Sequence, residues 1–188
     1  PEYSPPHYVD RSFFREEVCR VGSHLLPGKI TMPEDKGPFP ALVLVHGSGP
    51  NDMDETLWET RIFKDLAWGL SSQGVIVLRY DKRSRARPEL FEGSFTIMEE
   101  VVEDAIEAVG LLRSLDSVDS SRIYLHGHSL GGMMAPRIAS LEEGLAGLVL
   151  MAASAAHLED AFLEQMEYLV QLDGVVDENE AVLLQETR

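Results

Sequence analysis

Cysteine is almost missing from the chain: Cys19 stands alone among 188 residues. A single thiol excludes an intrachain disulfide and a thiolate zinc cluster. Positive charge is also scarce. Lys and Arg number 16 against 32 Asp and Glu, a formal net charge of −16, and such a field repels nucleic acid and anionic membrane surfaces. It says little about a small neutral substrate. No uninterrupted apolar run approaches the ~18 residues that a membrane span requires. The opening Pro1-Glu2-Tyr3-Ser4-Pro5-Pro6 has no basic stretch followed by an apolar one, so no signal peptide is visible. The compartment stays open, with a cytoplasmic setting favoured. There is no internal repeat and no low-complexity tract.

What is present is an ordinary globular balance, 44% apolar and 26% charged. That suffices for one real core and is too short for two full domains. Short apolar runs recur: Ala41 to Val45, Val75 to Leu78, Ile123 to Leu125 and Leu148 to Met151. Such runs fit strands covered on both faces, as in a parallel sheet. Between them lie amphipathic stretches. Ile62, Phe63, Leu66, Ala67 and Leu70 keep helical spacing, with Gly74 placed as a C-terminal cap. Thr96 and Glu99 form a capping box ahead of the stripe Val102, Ala105, Ile106, Val109 and Leu112. A third helix is expected directly after Ser129, carrying Met133, Met134, Ile138 and Leu141.

Strand and helix alternating in this way predict right-handed crossovers and an α/β fold of three layers, αβα. Upstream, Val18 to Leu26 and Lys29 to Met32 flank Pro27-Gly28, which reads as an antiparallel hairpin at the sheet edge. Downstream, Leu158, Phe162, Met166, Leu169 and Leu172 mark another amphipathic helix. Asp173-Gly174 breaks it, and a further helix is expected near Asp177 to Glu180.

The strongest chemical signal is Gly127-His128-Ser129-Leu130-Gly131, a G-x-S-x-G that follows a strand and opens a helix. A serine on so tight a turn needs neighbours without bulk, which Gly127 and Gly131 supply. The helix beginning there aims N–H groups and its positive end at the point where an oxyanion would form. The alternative is that Ser129 is a plain helix N-cap among glycines kept for close packing. A second small-residue loop, His46-Gly47-Ser48-Gly49-Pro50, follows the strand Ala41 to Val45. The backbone amides of Ser48 and Leu130 are therefore assigned as the oxyanion donors, with Gly49 as the substitute for Ser48. By itself this loop would read as an ordinary glycine turn.

These motifs together resemble the α/β-hydrolase fold serine hydrolases, over about Val18 to Leu172. Leu26-Pro27-Gly28 with Met32-Pro33, Leu78 to Arg83, and Ala146 to Met151 also fall where that family places recurring segments. The nearest subgroup is the bacterial esterases and acyl hydrolases related to the serine aminopeptidase and dienelactone hydrolase groups. The resemblance implies that Ser129 attacks an ester, thioester or amide carbonyl, a histidine accepts its proton, and water releases the acyl group. It implies no metal and no organic cofactor. Its first reading is a carboxylesterase on small or medium esters; aminopeptidase or thioesterase is the runner-up, and a non-catalytic fragment or binding module the rival.

The chain departs from the family pattern in one respect. The triad there runs serine, acid, histidine, the last two after strands seven and eight, whereas Leu148 to Met151 counts as strand six. The expected organisation is thus residues 1–154 as the N-terminal part of the hydrolase domain and 155–188 as the start of an incomplete helical cap. A parent polypeptide is expected to continue for on the order of 100 residues, or a second chain to complete the sheet, because strand six would otherwise leave an apolar edge open. His157, the only histidine after Ser129, reads as the entrance to a cap helix or the mouth of the pocket rather than as the base. Phe162, Met166 and Tyr168 either line an apolar acyl site or pack on the core. His126 is expected to end its strand and His128 to pack under the turn; two residues apart, they make a poor zinc chelate. Asp81 reads as a loop cap, and the basic run Lys82 to Arg87 as a solvated loop in preference to a site for a substrate carboxylate.

Overall fold

Ala41 to Val45 offer no polar side chain to either side, and the computed structural model, which describes residues 3–172 together with Gly174 and Val182, buries all five. They form most of β3 (Phe39–Val45) in a six-stranded sheet. Its other strands are β1 (Phe14–Val21), β2 (Leu26–Pro33), β4 (Ile76–Tyr80), β5 (Val118–His128) and β6 (Gly147–Met151). Their order is β1-β2-β4-β3-β5-β6. Antiparallel pairing joins β1 to β2 and β2 to β4, and the remaining pairs are parallel. The mostly parallel α/β sheet anticipated from the apolar runs is present.

Helices cover both faces. On one, α1 (Ile62–Ser71) packs Phe63 and Ala67 against Leu42, Leu44 and Val77. On the other, α2 (Glu103–Arg113) and α3 (Leu130–Leu141) bring Ala105, Val109, Leu112 and Ile138 onto Val43, Leu78 and Leu125. Each fully buried aliphatic side chain there stabilises the fold by about 1.5–3 kcal/mol relative to exposure. Gly74 closes α1 at φ +88°. The Glu99 carboxylate accepts the Thr96 N–H at 2.9 Å, the returning half of the capping box. A wide π turn, Met98–Val102, then leads into α2.

The chain divides into two compact units, Pro1–Ala153 and Ser154–Arg188. The sheet and α1 to α3 belong to the first. The second contains α4 (Leu158–Val170), with His157 at its N-terminal cap position. The helix expected near Asp177 to Glu180 lies outside the described residues. Among the described residues no helix is long and apolar enough to cross a membrane.

Two features correct the expectations. The turn of the first hairpin is not at Pro27-Gly28, which sits inside β2 opposite Arg20 and Cys19. The reversal falls at residues 22–25, where Gly22 and Leu25 take φ +64° and +52° and the Leu25 N–H bonds the Gly22 carbonyl at 3.1 Å. Gly28 packs tightly against its neighbour instead: a Cβ there would lie 3.0 Å from the Arg79 carbonyl of β4. The second is β6, which is not covered on both faces. It is the last strand of the sheet, and Val149 and Leu150 are about half exposed, 49% and 52%. Beside them, on the α1 side, an apolar cavity of about 690 Å³ is lined by Leu42, Leu66, Leu70, Tyr124, His126 and Val149.

Candidate active site

β5 delivers Ser129 to the end of the sheet, and α3 starts at the next residue. The turn is sharp. Ser129 takes φ +49° and ψ −116°, a region that costs a non-glycine residue on the order of 1–3 kcal/mol. The surroundings impose it. The Ser129 N–H bonds the Met151 carbonyl at the end of β6, 2.9 Å away, and its carbonyl accepts the Met133 N–H at 2.9 Å. A Cβ on Gly127 would meet the Gly131 carbonyl oxygen at 2.3 Å, and one on Gly131 would meet the Val45 carbonyl oxygen at 2.4 Å. Both glycines are therefore there for backbone-to-backbone approach. The Ser129 hydroxyl makes no capping bond to α3, so the N-cap alternative does not describe it. The side chain is half-buried.

The loop after β3 comes to the same place. A Cβ on Gly47 would lie 3.3 Å from Ser129 Cβ, which brings the two expected motifs together. As the first residue of α3, Leu130 has an N–H with no carbonyl four residues back to bond within the helix. Ser48 is exposed. The loop is held by side chains that nothing in the sequence ties to it. Glu55, buried and at φ +48°, accepts the Gly47 N–H at 2.8 Å. Lys82, 3% exposed, donates to the Gly47 carbonyl at 2.9 Å and to Glu100 at 2.7 Å. Asn51 Nδ2 reaches the Gly47 and Ser48 carbonyls at 3.2 and 3.0 Å. Asn51, two residues after Gly49, carried a turn signal; Lys82 and Glu55 carried none locally.

The basic run is not a solvated loop throughout. Besides Lys82, Arg83 is 4% exposed and grips Asp104 at 2.7 Å and Glu103 at 3.0 Å. Burial pushes the Asp104 carboxyl up and the Lys82 ammonium down from their ordinary values. A short helix, Arg83–Ala86, turns these side chains inward. Asp81 does cap a loop, accepting the Met53 N–H at 2.8 Å.

The histidines divide by environment. His46 is buried under the loop, its Nε2 3.0 Å from the Asp52 carbonyl. A carbonyl only accepts, so Nε2 carries the proton. Desolvation and the Lys82 charge lower its pKa to about 3. His126 lies within β5 rather than at its end; it is buried edge-on to Phe63 and held below its usual pKa by desolvation and by His128. His128 Nδ1 stands 2.9 Å from Glu55 Oε1, outside hydrogen-bond alignment. Among the described residues, no three His, Cys, Asp or Glu side chains are gathered where a metal could bind.

A model of the alpha/beta hydrolase family matches residues 42–183. The chain is 50% identical over 171 residues to Esterase EstD of Thermotoga maritima, covering 91% of this chain and 40% of that protein. It thus spans 40% of the length of that curated relative. Brefeldin A esterase, a bacterial homologue of human hormone sensitive lipase, superposes with a TM-score of 0.61 at 21% identity, covering 98% of this chain and 53% of that one. Acetyl xylan esterase 1 from a Thermoanaerobacterium species superposes with a TM-score of 0.62 at 16% identity, covering 99% and 65%. At these identities the structural likeness speaks to the fold alone.

Proposed function

The chain belongs to the alpha/beta hydrolase family, and on that premise we propose that it carries the nucleophile and oxyanion half of a serine hydrolase cleaving carboxylic esters through an acyl-enzyme. The observation that carries the reading is Ser129 at φ +49°, ψ −116° between β5 and α3, its hydroxyl uncommitted to the helix. Such a hydroxyl attacks the ester carbonyl; the Ser48 and Leu130 N–H groups stabilise the developing oxyanion; the alcohol leaves, and water releases the acid. The 50% identity to an esterase favours an ester over a peptide or thioester.

The acid and base that would activate Ser129 belong, in this reading, to polypeptide beyond residue 188. The 40% coverage of the relative is consistent with further polypeptide, and the half-exposed β6 beside an apolar cavity offers a face that such chain would cover. Fluorophosphonate labelling tests the assignment. In the full-length polypeptide the probe is expected on Ser129, and Ser129→Ala is expected to lose ester hydrolysis by about 10⁴-fold or more with its thermal melt unchanged. Retained turnover in Ser129→Ala would end the assignment.

A further inference from the structure

Lys82 is a buried cation that bonds the backbone of the loop after β3, and the acyl-transfer steps do not use it. Its Nζ meets the Gly47 carbonyl at 2.9 Å and the Glu100 carboxylate at 2.7 Å. The peptide whose oxygen it holds is the one whose nitrogen belongs to Ser48. A trans peptide places its C=O and N–H on opposite edges of one plane, so gripping the oxygen from one side turns the Ser48 N–H to the other. Glycine offers little resistance of its own to peptide rotation. At Gly47 both flanking peptides are held from outside instead: Glu55 takes the Gly47 N–H at 2.8 Å, and Lys82 and Asn51 take its carbonyl at 2.9 and 3.2 Å.

We propose that Lys82, seated by Glu100, is a positioning residue that fixes the plane of the Gly47–Ser48 peptide and so aims the Ser48 N–H at the oxyanion. The inference rests on the acyl-transfer reading of Ser129. An ammonium on the carbonyl also polarises the peptide and strengthens the N–H on its far edge as a donor, an effect enhanced in a low-dielectric interior. Burying a cation is costly unless it is paired, and Glu100 meets that need. If the peptide were released, rotation would bring the Gly47 carbonyl toward the oxyanion in place of the N–H, replacing attraction with repulsion.

The test uses the full-length polypeptide with a small chromogenic ester. Lys82→Met is expected to lower kcat roughly 10–100-fold, somewhat less than outright loss of one oxyanion donor, with KM within about twofold. Affinity for a trifluoromethyl ketone, which forms a tetrahedral adduct on the serine, should weaken by the same factor as kcat. Lys82→Arg, which keeps a cationic donor, should recover part of the loss. Since Lys82→Met can compromise folding, Glu100→Gln supplies a second arm: Lys82 stays but its anchor weakens, with roughly a threefold to tenfold fall in kcat. A folded variant of either kind with native kcat, or with its defect in KM alone, overturns the proposal. Turnover surviving in Ser129→Ala is a separate result that would remove the acyl-transfer reading itself.

Discussion

Two turns meet at Ser129, and they are held by different forces. The elbow between β5 and α3 is fixed by shape: Gly127, Gly131 and the Val45 carbonyl approach so closely that no methyl group fits, and the Ser129 N–H is locked to the end of β6. The loop after β3 is fixed by charge. Glu55 and Asn51, further along the same connection, and Lys82, from after β4, bond its peptide groups. The elbow carries a strained residue and needs rigidity that packing supplies without any adjustable contact. The loop carries glycines, whose peptides have no side chain of their own to hold them, and so depends on directional bonds, the strongest of them to charged groups.

The sharpest way to break this comparison is to add volume to the elbow. Gly127→Ala places a methyl against the Gly131 backbone, which cannot swing aside as a side chain could. On the proposed reading, loss of ester hydrolysis and a destabilisation of about 3 kcal/mol are expected, read by a denaturant melt; an active, native-like variant would show that shape is not what holds this turn. The loop should answer to changes in hydrogen bonding instead. Ser48→Pro removes a backbone N–H, and on the proposed assignment kcat should drop by about 10²–10³.

Acid should find the charge-held loop before the elbow. His46 has its pKa lowered to about 3 by burial, below the usual value near 6.5. The unfolded chain therefore binds one proton more than the native one between those values, so stability is present above about pH 6.5 and is lost as pH falls toward 3. Stability measured from pH 6.5 to 4.5 should fall with one proton more slope in the native protein than in His46→Gln, about 1.4 kcal/mol per pH unit. Equal slopes would place the acid sensitivity elsewhere. The smallest effect is expected from Ser48→Ala. The side chain is exposed and the assigned donor is the backbone, so kcat should stay within about twofold in the same ester assay.

The difference between the two turns also explains what could be read in advance. The elbow is written in five consecutive residues, Gly127 to Gly131, because its steric demands act between near neighbours. The loop's small residues were equally legible, but its restraints were not. Lys82 lies 35 residues from Gly47 and Glu100 another 18 beyond, and neither position announces its partner. The same limit misplaced the first hairpin turn. Pro27-Gly28 is a strong local turn signal, yet in the fold the pair lies within β2, with Gly28 paired to Cys19 on one side and Tyr80 of β4 on the other.

By itself the sequence determined the central strands, the main helices and their order. Apolar periodicity and glycine placement act between residues a few positions apart, so they need no distant partner to be read. Only the tertiary structure decided which charges are buried, which peptide each one holds, and that Arg83 and Lys82 turn inward instead of facing water. An ion pair gains or loses according to the dielectric around it and the geometry of its partner, and both exist only once distant segments have packed together.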